Sequence, residues 1–536
     1  MPGTMMHYPL TLAHMLERAG KLFPEVEVIS RLPDRSLHRY TYGNFYQRAR
    51  ALAEALQKAG LQRGDRVATL MWNHYAHLEA YFGVPVAGGV THTLNLRLAP
   101  IEIAYIAQHA AGRFLIVDDI LYPLYEKFKD KVHFERVIVV PLAGNPVPNG
   151  THNYEDFLST AVGSFRYPEL DENEAASLCY TSGTTGVPKG VAYTHRSVFL
   201  HTMLLTMADN FAICHHDVVL PIVSMFHVNG WGLPFAAAMT GAKLVLPGPY
   251  LDPASVVDLC ERERVNVAAG VPTVWLSVVE FLEKHPDCVL PPMRVLVGGA
   301  APPLALIRKL DQRGIRLVQG WGLTESSPQA TTNQLKAYMK DWPSEAKYDV
   351  QTRAGIPVPL VEMRVVNESG EVPHDGETMG EVQLRGPWVA ASYYNLPEEK
   401  DKWTGDGWFR TGDVGTLDSE GYLRIADRTK DLIKSGGEWI SSIDLENALV
   451  GHPDVCEAAV ISVPHPKWQE RPLAVIVLRD GAKISPEQLC AFLSSKFAKW
   501  QLPDAFVFVD ELPHTSTGKL FKTELRRRYQ DWKWEP

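Results

Sequence analysis

The sequence predicts a large α/β domain, residues 1–429, of mixed and largely parallel sheets covered by helices, with a small β-rich subdomain at its end. A small α+β domain, residues 430–536, follows. Three observations point there. Apolar runs of strand length alternate with helix-period stretches through most of the first 350 residues, as helix-covered parallel sheets require. From about Gly355 the texture changes to short strands separated by Gly and Asp turns. After the charged Arg-Thr-Lys-Asp at 428–431 a fresh hydrophobic cycle begins, and a chain of 536 residues exceeds what one core supports.

Taken in order, Phe45, Ala49, Leu52 and Leu56 fall on one helical face that Gly60 can cap. A Gly64-Asp65 turn leads into a buried-strand candidate at 67–71, and runs at 101–111, 114–117 and 136–140 continue the alternation. Strands are predicted at 218–223, 242–246, 265–269, 294–297 and 315–319. Asp252 as N-cap and Pro253 at the first helical position start a helix to about Arg264. The small domain supplies elements at 443–450, 458–463, 473–478, 486–497, 505–509 and 520–529. Functional loops of such folds lie beyond the carboxyl ends of strands, where His227, Gly298-Gly299 and residues 320–325 fall.

Composition narrows the partners. A formal charge of −9 argues against a general nucleic-acid binder, which needs a basic face. Six scattered cysteines without paired spacing read as reduced thiols of a cytoplasmic protein. Residues 1–10 lack the basic-then-apolar pattern of a signal peptide. The longest apolar stretch, 231–246, is broken by Pro234 and Lys243 and is too short to span a bilayer, which leaves only peripheral membrane contact open. The pairs His74/His77 and His215/His216 have no further Cys or carboxylate at ligand spacing, so no zinc site is assigned.

Five short motifs carry candidate chemistry. At 180–195, Tyr-Thr-Ser-Gly-Thr-Thr-Gly-Val-Pro-Lys-Gly-Val-Ala-Tyr-Thr-His places Thr181, Ser182, Thr184 and Thr185 with Gly183, Gly186 and Lys189 between two apolar runs. Small residues let backbone N–H groups approach a polyanion, and the lysine adds a point charge. A plain Ser/Thr/Gly surface loop is the alternative. It is not a Walker loop, because Pro188 precedes Lys189 and Gly190 follows it. Gln-Gly-Trp-Gly-Leu-Thr-Glu at 319–325 sets Trp321 between Gly320 and Gly322, open to a planar ring or simply packed. Its Thr324 and Glu325 offer oxygens to phosphate or Mg²⁺. Gly-Trp-Phe-Arg-Thr-Gly-Asp at 407–413 ends in Asp413, suited to ribose hydroxyls or to an ordinary turn. Residues 428–442 carry Arg428, Lys430, Lys434, the turn glycines Gly436 and Gly437, and Trp439; residues 513–519 end in Lys519.

In that order the motifs resemble the adenylate-forming superfamily of acyl-CoA synthetases, firefly-type luciferases and peptide-synthetase adenylation domains, over nearly the whole chain. Met-Phe-His-Val-Asn-Gly-Trp at 225–231, residues 430–447 and His-Pro-Lys-Trp-Gln-Glu-Arg-Pro at 465–472 look most like the medium- to long-chain fatty-acyl-CoA synthetases. The resemblance implies an AMP-forming fatty acid–CoA ligase using ATP, Mg²⁺ and coenzyme A, with a mobile C-terminal domain and often a homodimer. Lys519 matches the lysine that bridges carboxylate and α-phosphate, and Lys434 the lysine carried in for thioester formation. Lys430 matches the hinge, and His227 a residue beside the acyl carboxylate. Residues 181–186 and Lys189 would hold the β- and γ-phosphates, Trp321 would stack on adenine where many relatives carry Tyr, and Asp413 and Arg428 would hold the ribose. Glu325 with Thr184 would bind Mg²⁺. The nucleotide and coenzyme set also includes Gly299, Ala300, Gly320, Gly322, Thr324, Gly436, Gly437 and Trp439, and Trp231 corresponds to an aromatic gate over the acyl tunnel.

Other readings stay open. A luciferase-like oxygenase shares these loops. A short thioether acid such as methylmercaptopropionate is the main rival substrate. An amino-acid-activating domain would usually keep an aspartate after His227, and residues 228–235 supply no carboxylate. A non-catalytic nucleotide binder would lack some key residues, yet Lys434, Lys519 and Glu325 are all present.

Overall fold

Strands from distant parts of the chain build the largest sheet of the computed structural model, which describes residues 1, 3–181, 187–435, 438–515 and 519–534, the side chain of Glu438 excepted. Its order is Ile356–Pro357, Gln329–Thr332, Ile315–Gly322, Met293–Val297, Val267–Gly270, Val218–Pro221, Lys243–Leu246, Glu27–Arg31 and Leu37–Thr41. The six strands from Ile315–Gly322 to Glu27–Arg31 pair in parallel, and only the margins are antiparallel. A second sheet runs His152–Asn153, Arg136–Val140, Phe114–Asp118, Arg66–Leu70, Val90–Thr93, Ala175–Tyr180 and Gly190–Thr194. Strands buried on both faces read as continuous apolar runs, which is why the sequence marks them.

The main core lies between these two sheets. It joins Val28, Leu244 and Val267 of one to Val67, Ile116 and Ile138 of the other, through helices Leu12–Leu22, Tyr42–Lys58, Tyr75–Val86 and Leu233–Thr240. Tyr75–Val86 is buried on every side from Ala76 onward, so its apolar residues show no helical stripe. The β-rich subdomain is an antiparallel sheet ordered Gly370–Glu371, Glu362–Asn367, Gly380–Arg385, Phe409–Leu417 and Leu423–Arg428. The C-terminal part pairs Val455–His465 with Gln469–Leu478 under helices Ser442–Val450 and Pro486–Ser494. Among the described residues no helix is long and apolar enough to cross a membrane.

Several element boundaries differ from expectation, and three of the differences have a local reason. The strand expected at 218–223 stops at Pro221, because Asn73 captures the chain there. Its Nδ2 donates to the carbonyls of Pro221 and Val223 at 3.0 and 2.9 Å, and its Oδ1 accepts from the Met225 amide at 2.8 Å. The strand expected from 265 starts at Val267, since the Val265 amide still caps the preceding helix at the Cys260 carbonyl. The strand expected at 315–319 runs on to Gly322, with a bulge at Trp321/Gly322. The strands on either side of residues 181–189, Ala175–Tyr180 and Gly190–Thr194, pair antiparallel with Tyr180 opposite Gly190.

Candidate active site

A cavity of about 560 Å³ opens at the carboxyl ends of the parallel strands. Ile222 to His227 follow the strand ending at Pro221, Val271 and Val274 follow Gly270, and Gly298-Gly299 follow Val297. Residues 320–325 end the strand Ile315–Gly322 and complete that rim. The subdomain adds Thr411, Gly412 and Arg428, and the C-terminal part reaches in with Lys519.

The two ends of this cavity differ in chemistry. Among the described residues, six cations line it (Arg97, Lys189, Lys402, Arg428, Lys430 and Lys519) against one carboxylate, Glu325. A chain of net charge −9 has concentrated positive charge in one cleft, as a polyanionic ligand requires. The other end is apolar: Ile222, Val223, Leu251, Val271, Val274 and Leu296.

At the charged end, the Trp321 indole donates to Asp413 Oδ2 at 3.0 Å while Arg428 Nε lies 3.0 Å from Asp413 Oδ1. Asp413 is buried, and it holds the Arg428 guanidinium above its ordinary range. Glycine is required at 322 by a close backbone approach: a Cβ there would lie 1.7 Å from the Pro328 carbonyl oxygen. Glu325 accepts from the Tyr393 hydroxyl at 2.5 Å, and burial beside that carboxylate raises the tyrosine. Lys189 pairs with Glu399 at 2.6 Å, its ammonium 5.1 Å from the centre of the Tyr393 ring.

Lys519 sits between the ends. Burial pushes its ammonium down to about 8; Arg428 adds to the shift, and Asp413 and Glu325 oppose it. A Cβ on Gly299, whose φ is +85°, would lie 3.4 Å from Lys519 Cε. His227 lines the wall nearby, and burial with Lys519 close at hand pushes its imidazole down to about 3. It is therefore neutral at physiological pH.

Trp231 stands on a backbone turn the sequence did not announce. Val228, Asn229, Gly230, Trp231 and Gly232 all have positive φ, from 46° to 78°. Each non-glycine in that region costs about 1–2 kcal/mol. Asn229 Oδ1 secures the turn by accepting from Ser177 Oγ at 2.9 Å and Cys179 Sγ at 3.4 Å. The Trp231 ring then covers Gly298, where a Cβ would lie 3.3 Å from it and 2.9 Å from the Gly320 carbonyl oxygen.

A family model described as AMP-binding enzyme matches residues 16–394, and one described as AMP-binding enzyme C-terminal domain matches residues 444–519. The chain is an AMP-binding enzyme. It is 50% identical to a long-chain-fatty-acid–CoA ligase of Thermus thermophilus, over 99% of this chain and 98% of that one. It is 43% identical to a 3-methylmercaptopropionyl-CoA ligase of Ruegeria pomeroyi, over 99% of each. Among solved structures, the anthranilate CoA ligase AuaEII in complex with anthranoyl-AMP superposes with a TM-score of 0.86 at 25% identity, over 98% of both chains.

Of the residues expected at this enzyme's site, Thr181, Lys189, His227, Trp231, Gly299, Gly320, Trp321, Gly322, Thr324, Glu325, Arg428, Lys430 and Lys519 line the cavity. Asp413 lies behind the wall, bound to Trp321 and Arg428. Ser182, Gly183, Thr184, Thr185, Gly186, Gly436 and Gly437 fall outside the described residues. Three expected residues are off the wall. Ala300 is exposed just past Gly299. Lys434 is exposed on the strand Ile433–Ser435, its amide donating to Glu470 Oε2 at 2.8 Å and its ammonium 5.4 Å from the exposed Trp439 ring. One C-terminal lysine is thus in the cavity and the other out. Tyr393, Arg97 and Lys402 line the cavity without any local sequence signal.

The lowered Lys519 gives a pH signature. If its ammonium serves the reaction, kcat/KM falls as pH rises through the free enzyme's Lys519 value, about 8. In Lys519→Arg, whose guanidinium stays charged, that alkaline limb is expected to vanish at a lower plateau. A pH–rate profile of both proteins from 6 to 10 checks this; an alkaline limb unchanged in Lys519→Arg contradicts it.

Proposed function

We propose that this enzyme is an AMP-forming fatty acid–CoA ligase acting on medium- to long-chain carboxylic acids. The observation that carries the reading is the division of one cavity into a cationic end and an apolar end, with Lys519 between them. An acid bound with its tail among Ile222, Val271 and Val274 directs its carboxylate toward His227 and Lys519. The carboxylate oxygen attacks the α-phosphorus of ATP, the bond to the β-phosphate oxygen breaks, and pyrophosphate leaves. The thiol of coenzyme A then adds to the acyl carbonyl and AMP departs.

The difficulty of the first step is bringing an anion to a polyanion. Cations and donors aimed at the reacting phosphate in a dry site reduce that cost. Lys519 is the proposed bridge between carboxylate and α-phosphate. Lys189 and Thr181, with residues 182–186, would receive the β- and γ-phosphates, exchanging the Glu399 pair for phosphate. Trp321 would stack on adenine and Asp413 with Arg428 would set the ribose, the indole N–H adding a tether that a tyrosine ring lacks. Neutral His227 can offer a ring N–H to the acid without competing for its charge. One carboxylate, Glu325, suits Mg²⁺, which commonly takes one or two carboxylates alongside substrate phosphates. When bound, that ion would screen phosphate charge.

Lys430 is the proposed pivot between residues 1–429 and 430–536. With Lys519 inside and Lys434 outside, the described arrangement suits the adenylating half-reaction, and rotation would exchange the two. A cytoplasmic setting and a homodimer fit the same reading.

A ladder of unbranched acids tests the substrate class. Each added CH₂ is worth about 0.8 kcal/mol when buried, so acid KM should drop about fourfold per carbon until the tunnel ends. KM independent of chain length would contradict an apolar tunnel. The two lysines should separate the half-reactions. Lys519→Ala is expected to slow adenylate formation about 10²–10³-fold while sparing thioester formation from supplied acyl-adenylate. Lys434→Ala should do the reverse. Single-turnover assays of each half-reaction check the pair, and equal losses in both steps for either variant would refute its assignment.

A further inference from the structure

Part of the cavity wall is held by a residue that does not itself line the cavity. Asn73 is buried in the link between the strand Arg66–Leu70 and the helix Tyr75–Val86. Its Nδ2 donates to the carbonyls of Pro221 and Val223 at 3.0 and 2.9 Å, and its Oδ1 accepts from the Met225 amide at 2.8 Å. Both side-chain N–H groups and the side-chain oxygen are thereby engaged by one segment. The backbone carbonyl of Asn73 accepts from the Gly248 amide at 3.0 Å.

The two captured segments are walls of the site. Ile222, Val223, Ser224 and His227 line the cavity from the first, and Leu251 follows Gly248 in the second. The bonds to the Val223 carbonyl and the Met225 amide fix the peptide groups on either side of Ser224. The His227 amide in turn donates to the Ser224 carbonyl at 3.1 Å, and the Tyr81 hydroxyl donates to the Met225 carbonyl. Asn73 is itself held from both sides by one fully buried carboxylate. Asp118 accepts from the Trp72 amide at 2.9 Å through Oδ2, and its Oδ1 lies 2.8 Å from His74 Nε2. None of the hydrogen bonds of Asn73 among the described residues reaches the elements that carry Trp321, Asp413 or Arg428.

We propose that Asn73 is a positioning residue for the carboxylic acid: it sets Ser224 and His227 against the carboxylate and holds Ile222, Val223 and Leu251 around the start of the tail, without a part in binding ATP. This rests on the acid–CoA ligase reading above and deepens it. Aspartate has the same outline as asparagine but, when ionised, no donor. At position 73 it would keep the bond from the Met225 amide and face the carbonyls of Pro221 and Val223 with an acceptor. Those buried carbonyls would lose their partner, and the segment that carries Ser224 would shift to find another.

Initial rates of pyrophosphate release by the full-length enzyme test this, with a straight-chain alkanoate and ATP each varied while the other is saturating. Asn73→Asp is expected to raise the KM of the acid about tenfold and to leave the KM of ATP within about twofold of the wild type. Asp118→Asn, which loosens Asn73 through Trp72 and His74, should move the acid KM in the same direction by less. It carries the test if Asn73→Asp does not fold. A role in stability alone would lower the melting temperature without separating the two KM values. Equal shifts in both KM values, or an unchanged acid KM in a folded variant, overturn the assignment of Asn73 and leave the ligase reading intact. Absence of pyrophosphate release by the wild type with every acid overturns the ligase reading and this assignment with it.

Discussion

The desolvated ammonium of Lys519, facing Arg428 inside the cavity, is the constraint on which the rest of the site depends. Two cations enclosed together repel, and burial already disfavours the charged lysine. Asp413 and Glu325 offset part of that cost, and each is itself tied down, by Trp321 and Arg428 in one case and by Tyr393 in the other. The result is a site with surplus positive charge in low dielectric. That surplus is unfavourable alone and becomes favourable once phosphates arrive, which is what a nucleotide-activating site needs.

Such an arrangement works only if the segment bearing Lys519 is held in place. The helix Lys522–Arg528 follows directly, and Lys522 lies 2.7 Å from Glu446 and also donates to Ser442. Ser442 in turn bonds Asp427, at the end of the subdomain sheet, its amide reaching Oδ2 at 2.9 Å. Arg526 pairs with Asp431 beside the proposed pivot. Burial raises both Glu446, to about 7, and Asp427, so these carboxylates depend on Lys522 and Ser442 for their charge. The chain that follows Lys519 is thereby tied to both sides of Lys430. The contacts of Asp427 with Ser442, across that pivot, are ones that a rotation about Lys430 would have to break.

What the sequence disclosed and what it hid divide along a physical line. Parallel strands buried on both faces are short apolar runs, so 67–71, 114–117 and 294–297 were legible, and the glycines at 320 and 322 marked Trp321 as a site candidate. Contacts made at long range left no local trace. Trp321 meets Asp413 across 92 residues, and nothing in either motif says that the indole N–H would find that carboxylate. The early end of the strand at Pro221 was set by Asn73, 148 residues away. The left-handed turn at 228–232 was partly hidden for a different reason: Asn229-Gly230 marks a turn, but Val228 and Trp231 do not announce positive φ, and the bonds from Ser177 and Cys179 to Asn229 help hold it. Lysines spaced far apart in sequence gave no hint of which one occupies the cavity. That depends on how residues 430–536 sit.

In the proposed reaction the first bond-making step is attack of a carboxylate on the α-phosphate, before coenzyme A takes part. Exchange of labelled pyrophosphate into ATP measures this directly. With a fatty acid present and coenzyme A absent, the enzyme should return label to ATP, and omitting the acid should abolish the exchange. Release of ADP and phosphate, or exchange that appears only when coenzyme A is added, would contradict the account.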